Sequence, residues 1–143
     1  MRTASNAVRT DYCPGTDSGH IRVLLVEDDA ILTLAEKMLL EGEGFEVRTA
    51  NTGEDAVSIA MSDAQVSIIL MDVDLGRGID GLEAARLILA GRDLPIIFLS
   101  NSANPEVRSL AFEKPFHGLV AKVPQSTVLS QLIRNAISDH ESR

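Results

Sequence analysis

Five short apolar runs, each followed by a segment with helical spacing, constrain this chain more than any other feature. The runs are IRVLLV (21–26), FEVRTA (45–50), VSIILM (66–71), LPIIFLS (94–100) and GLVAK (118–122). All have the length of strands. Residues 30–41 place Ile31, Leu34, Ala35, Met38 and Leu39 on one helical face, with Leu32 and Leu40 as further core or sheet-facing positions, and EGEG then stops the helix. Residues 53–62 group Ala56, Val57, Ala60 and Met61, and residues 81–90 group Leu82, Ala85 and Leu89. Residues 103–113 open with Asn104 as N-cap and Pro105 at the first helical position. Residues 126–138 group Val128, Leu129, Leu132, Ile133, Ala136 and Ile137. Strand–helix repeated five times implies an α/β fold, a parallel sheet with helices on both faces. Strands 66–71 and 94–99 are apolar throughout, as strands covered on both sides should be.

Sheets of this kind bind ligands beyond the carboxyl ends of their strands. The first strand runs into Glu27, Asp28 and Asp29, the third ends in Asp72, the fourth in Ser100 and the fifth in Lys122. Carboxylates close together repel, and desolvation raises the cost. Three of them on one edge, Glu27, Asp28 and Asp72, suit a hard divalent cation with oxygen ligands, such as Mg2+. A lysine beside them suits an added anion such as a phosphoryl group, and a hydroxyl donates to one of its oxygens.

Composition narrows the partners. A net charge of −8 and a pI near 4.8 argue against nucleic acid or an anionic membrane, which need a basic surface. Cys13 is the one cysteine, so no internal disulfide is possible, and His20, His117 and His140 show no metal-ligand spacing. No apolar run approaches the roughly 20 residues of a membrane span. The expectation is a cytoplasmic protein, monomeric or weakly dimeric. Residues 1–19 are small, polar and broken by Pro14, Gly15 and Gly19, and are expected to form a flexible tail ahead of a domain at 20–140.

The acids of VEDD, the MDVDL…GIDGLEAA segment, the serine of IIFLS and the lysine of LVAK follow one another in order and at characteristic spacing. Together they resemble the receiver domain of two-component response regulators, over residues 21–139. That resemblance implies a (βα)5 flavodoxin-like fold, with Asp72 as phosphoacceptor. It implies Mg2+ or Mn2+ held by Asp28, Asp72 and the backbone carbonyl of Asp74, with Glu27 acting through water. Ser100 becomes the switch hydroxyl and Lys122 the phosphoryl partner. The implied phosphodonor is a sensor histidine kinase or a histidine phosphotransferase. The implied protein catalyses only its own phosphorylation and dephosphorylation, and with DHESR alone after the last helix no output domain is expected. Asp29 is expected at the helix start.

Three departures bear on how phosphorylation is relayed. Leu75-Gly76 stands in place of Met-Pro, Val123 in place of proline, and Leu119 in place of an aromatic. Without a proline, the Lys122–Val123 bond is expected to be trans. EKPF (113–116) reads as a helix stop. Two other classes compete. IILMDVDLG also resembles the opening motif of haloacid-dehalogenase-like phosphatases, although there the remaining acids lie downstream. A receiver-like binding module that is never phosphorylated is the other. DVDLGRGIDGLE imitates a calcium loop, but Arg77 stands where that loop needs glycine.

Overall fold

The computed structural model describes residues 21–100, Pro105, Ser109, 116–120 and 126–142. Its strands are β1 (Arg22–Val26), β2 (Glu46–Ala50), β3 (Val66–Asp72), β4 (Ile96–Leu99) and β5 (Leu119–Val120). Its helices are α1 (Ala30–Gly42), α2 (Gly53–Ser62), α3 (Gly81–Gly91) and α4 (Ser126–Glu141). The five strands form one parallel sheet in the order β2-β1-β3-β4-β5. This is the flavodoxin-like order, with its topological switch point between β1 and β3. Of the expected helix at 103–113, Pro105 and Ser109 are described and both are helical. Residues 1–19, Asn104, Lys122 and the Lys122–Val123 bond lie outside the described residues.

Alternation along the strands sends side chains to two separate cores. Leu24, Val26, Ile69, Met71, Ile96 and Phe98 face α2 and α3, whose Ala56, Ala60, Ala84, Ala85 and Ile88 complete that side. Val23, Leu25, Ile68, Leu70, Ile97 and Leu99 face α1 and α4, against Leu40, Leu129, Ile133 and Ala136. Each fully buried Leu or Ile contributes about 1.5–3 kcal/mol of transfer free energy. Phe116, the end of EKPF, lies outside any helix and sets its ring edge-on against Phe98, 4.8 Å between centroids.

The first helix corrects one expectation. The stripe of Ile31, Leu34 and Met38 faces outward, at 79%, 59% and 63% exposure, while Glu36 and Leu40 are buried. The entry of α1 is polar and closely bonded. Asp29 caps it through Ile31 N and Leu32 N, at 2.9 and 3.1 Å. Thr33 Oγ1 donates to Asp29 O at 2.9 Å. The line through residues 36 and 40 is the one turned to the core. Val128 and Met61, expected inside, are also substantially exposed.

The amino-terminal edge of the sheet is held by paired charge. Arg22 Nη1 meets both oxygens of Asp63, and Arg48 Nη1 meets Asp63 Oδ2 at 3.0 Å. Arg92, the C-cap of α3, donates to four carbonyls: Ala60 and Asp63 through Nη1, Ala64 and Val66 through Nη2, all at 2.7–2.9 Å.

Candidate functional site

Register brings the strand ends to one edge. Val26 pairs with Met71 across β1 and β3, and Asp72 pairs with Leu99 across β3 and β4. Glu27, just after β1, and Asp72, at the end of β3, therefore stand at one level at the switch point, and Ser100 follows β4 one residue beyond that level. Glu27 and Asp72 are fully buried, Ser100 is 5% exposed, and Asp28 faces solvent. Glu27, Asp28 and Asp72 each offer a carboxylate oxygen within 4.8 Å of the others. The expected trio thus converges. Lys122 follows the described part of β5 by two positions and lies outside the described residues.

Backbone amides orient all three carboxylates. Asp29 N donates to Glu27 Oε2 at 3.1 Å, Asp74 N to Asp72 Oδ1 at 2.9 Å, and Gly76 N to Asp28 Oδ2 at 2.9 Å. Such charge-assisted bonds offset part of the cost of gathering like charges. α3 starts close against the end of β3, where a Cβ at Gly81 would collide with the carbonyl oxygen of Asp72. Asp80 caps α3 by accepting Glu83 N at 2.8 Å, so these two acids of the calcium-loop imitation begin a helix.

The donor set is all oxygen and its members carry like charge, which fits Mg2+ or Mn2+ and not a softer ion. Asp28, Asp72 and Glu27 are the side chains placed to hold such an ion. The sequence did not reveal that the Gly76 amide reaches Asp28. One signal was present: glycine where the related pattern has proline restores an N–H at that position. Nor did it reveal that Glu54, on α2, takes the Ile79 amide at 3.1 Å. The histidines that look scattered also meet, His117 Nε2 lying 3.3 Å from His140 Nδ1. They stand toward the opposite end of the sheet, His117 N bonding to the carbonyl of Ile96 at the start of β4.

The family model for the response regulator receiver domain matches residues 23–134. The phyllosphere-induced regulator PhyR of Methylorubrum extorquens is 34% identical over 122 residues, which cover 84% of this chain and 45% of PhyR. The chain spans about half the length of the curated relatives it matches. The N-terminal domain of a response regulator/sensory box/GGDEF protein from Carboxydothermus hydrogenoformans superposes with a TM-score of 0.76 at 30% identity, covering 85% of this chain and 97% of that one. A sensor histidine kinase receiver domain from Pseudomonas aeruginosa, with a magnesium ion coordinated in its active-site cleft, gives 0.72 at 29% identity, covering 82% and 98%. Among the described residues no helix is long and apolar enough to cross a membrane.

Proposed function

The chain belongs to the response regulator receiver domain family, and from that premise we propose that it accepts a phosphoryl group on Asp72 from a phosphohistidine. The observation that carries this reading is the convergence of Glu27, Asp28 and Asp72 at the switch point, with Ser100 ending the adjoining strand. One Asp72 oxygen bonds to phosphorus as the P–N bond breaks, and the imidazole leaves with the bonding pair and takes up a proton. Asp28, Asp72 and Glu27 would hold a Mg2+ ion, which when bound would offset the negative charge of the phosphoryl group. The carbonyl of Asp74 would be a further ligand, with Glu27 acting through water. Lys122 balances charge on the phosphoryl group, and Ser100 donates to one of its oxygens. Water later attacks phosphorus, returning the Asp72 carboxylate and inorganic phosphate.

The donor is a sensor histidine kinase or histidine phosphotransferase, whose imidazole must be brought against Asp72. The exposed stripe of Ile31, Leu34 and Met38, on the helix that leaves the acid cluster, gives such a partner an apolar face. The signal leaves by onward phosphotransfer or by altered protein contacts, and the protein acts on no substrate beyond its own phosphoryl group.

Incubation with Mg2+ and acetyl phosphate, read by intact mass, tests this. A single phosphoryl adduct is expected in the wild type and none in Asp72→Asn or without Mg2+. No adduct on the folded wild type would instead favour a binding module. Sustained turnover of a generic phosphomonoester would favour a phosphatase.

A further inference from the structure

The loop between β3 and α3 is fastened at two points. At one, Gly76 N donates to Asp28 Oδ2 at 2.9 Å, and a Cβ on residue 76 would lie only 2.7 Å from that oxygen. At the other, Ile79 N donates to Glu54 Oε2 at 3.1 Å. Gly78 between them has φ +71°, and a Cβ there would collide with the Glu54 carboxylate. Two glycines thus let two carboxylates from different elements approach the backbone, where most side chains would push them away. The first of those carboxylates is also a member of the acid cluster.

We propose that residues 76–79 form a latch shared with the cation site: the Gly76 amide positions Asp28 for the ion, and Glu54 holds the loop so that the amide stays in reach. The inference rests on reading Glu27, Asp28 and Asp72 as a cation site. With one Asp28 oxygen held by the amide, the carboxylate's rotamer is fixed and its second oxygen is left for the ion. Partners of this kind orient metal ligands, and their loss typically costs about 10–100-fold in metal affinity. Because ion and latch act on one carboxylate, the coupling is reciprocal: whatever the latch adds to ion affinity, the ion adds to latch closure. Gly76 and Glu54 are positioning residues. Neither residue belongs to the acid cluster itself.

The test is an amide-resolved NMR titration with MgCl2 alone, with hydrogen exchange measured in its absence and at saturation. Gly76→Pro removes the donor and is expected to raise the Mg2+ dissociation constant about tenfold. Glu54→Ala, one link further out, is expected to raise it by less. In the wild type, Mg2+ is expected to slow exchange at Gly76 and Ile79. That slowing should fall at Gly76 in Glu54→Ala and at Ile79 in Gly76→Pro. A role confined to fold stability would lower the melting temperature without moving the dissociation constant. If Gly76→Pro does not fold, Gly76→Ala and Glu54→Ala decide, since the alanine methyl displaces Asp28 while keeping the amide. Unchanged Mg2+ affinity in the folded variants, or exchange at 76–79 indifferent to Mg2+, overturns the latch and leaves the cation site standing. A wild type that binds no Mg2+, or an Asp28→Asn variant that binds it undiminished, overturns the cation site and the latch together.

Discussion

The two ends of the sheet treat charge in opposite ways. At the amino-terminal end Asp63 lies between Arg22 and Arg48, and Arg92 closes four backbone carbonyls. At the carboxyl-terminal end Glu27, Asp28 and Asp72 are brought within 4.8 Å of one another. The first arrangement joins opposite charges and fills orphan acceptors, so it serves the fold. The second gathers like charges, which is unfavourable by itself, and amides orient them: two from the carboxylates' own loops, and for Asp28 that of Gly76 in the loop after β3. Polar groups at the first end should therefore carry stability without touching phosphoryl transfer. Those at the second should carry transfer, and stability only when a cation is present.

The largest effect expected at the stabilising end is that of Arg92→Ala. It leaves the carbonyls of Ala60, Asp63, Ala64 and Val66 without their guanidinium donor. Part of the loss is recovered by water, and a net cost of about 3 kcal/mol is expected in urea unfolding. Arg92→Lys should recover little, because an ammonium lacks the planar fork that reaches several carbonyls at once. Phosphorylation of Asp72 should survive in the folded Arg92→Ala fraction. A cost below about 0.5 kcal/mol, the range of ordinary surface changes, would break the contrast between the ends.

At the other end the expected effect depends on the ion. Mg2+ at ten times its dissociation constant should stabilise the wild type by about 1.4 kcal/mol, by binding only the native state. Asp28→Ala should gain much less at the same concentration. Thermal melts of both proteins with and without MgCl2 measure this, and equal shifts would show that the acids do not act as one site.

The sequence revealed the acid end better than the stabilising end, for a physical reason. Strand ends are visible where an apolar run stops, and register carries such residues to a common edge whatever the loops do. That is why Glu27, Asp28, Asp72 and Ser100 were legible, as was Asp29 as a cap. The phase of α1 was not. The helix offers an apolar stripe through Ile31, Leu34 and Met38 and a second line through Leu40, and the second is the one buried. The Gly76 amide was hidden because a backbone donor carries no residue-type signal beyond the absence of proline. Arg92 looked like any surface arginine, since its acceptors are carbonyls about thirty residues away in sequence. The meeting of His117 with His140 likewise depends on the last turns of α4 reaching the segment just before β5.

The smallest effect is the pH dependence of the stabilising end, and it sharpens the comparison most. Arg48 above all, then the Gln65 amide, and further on Arg22, hold the Asp63 carboxyl well below its ordinary value of 3.8, at about 2. A carboxyl depressed on folding contributes stability that is fully present above its unfolded pKa and is lost as pH falls through its folded pKa. The contribution should therefore be constant from neutral pH down to about 5, shrink between about 4 and 2, and vanish below that. Asp63→Asn keeps the shape and removes the titration. The difference in urea midpoint between wild type and Asp63→Asn should hence follow that curve, with wild type the more stable above about pH 5. Arg48→Ala should shift the Asp63 titration upward, as read directly by carboxyl NMR. A wild-type advantage that persisted unchanged to pH 2 would mean that the ion pairs do not set the Asp63 pKa. The amino-terminal end would then be held by contacts that do not depend on the Asp63 charge, the four Arg92 hydrogen bonds among them.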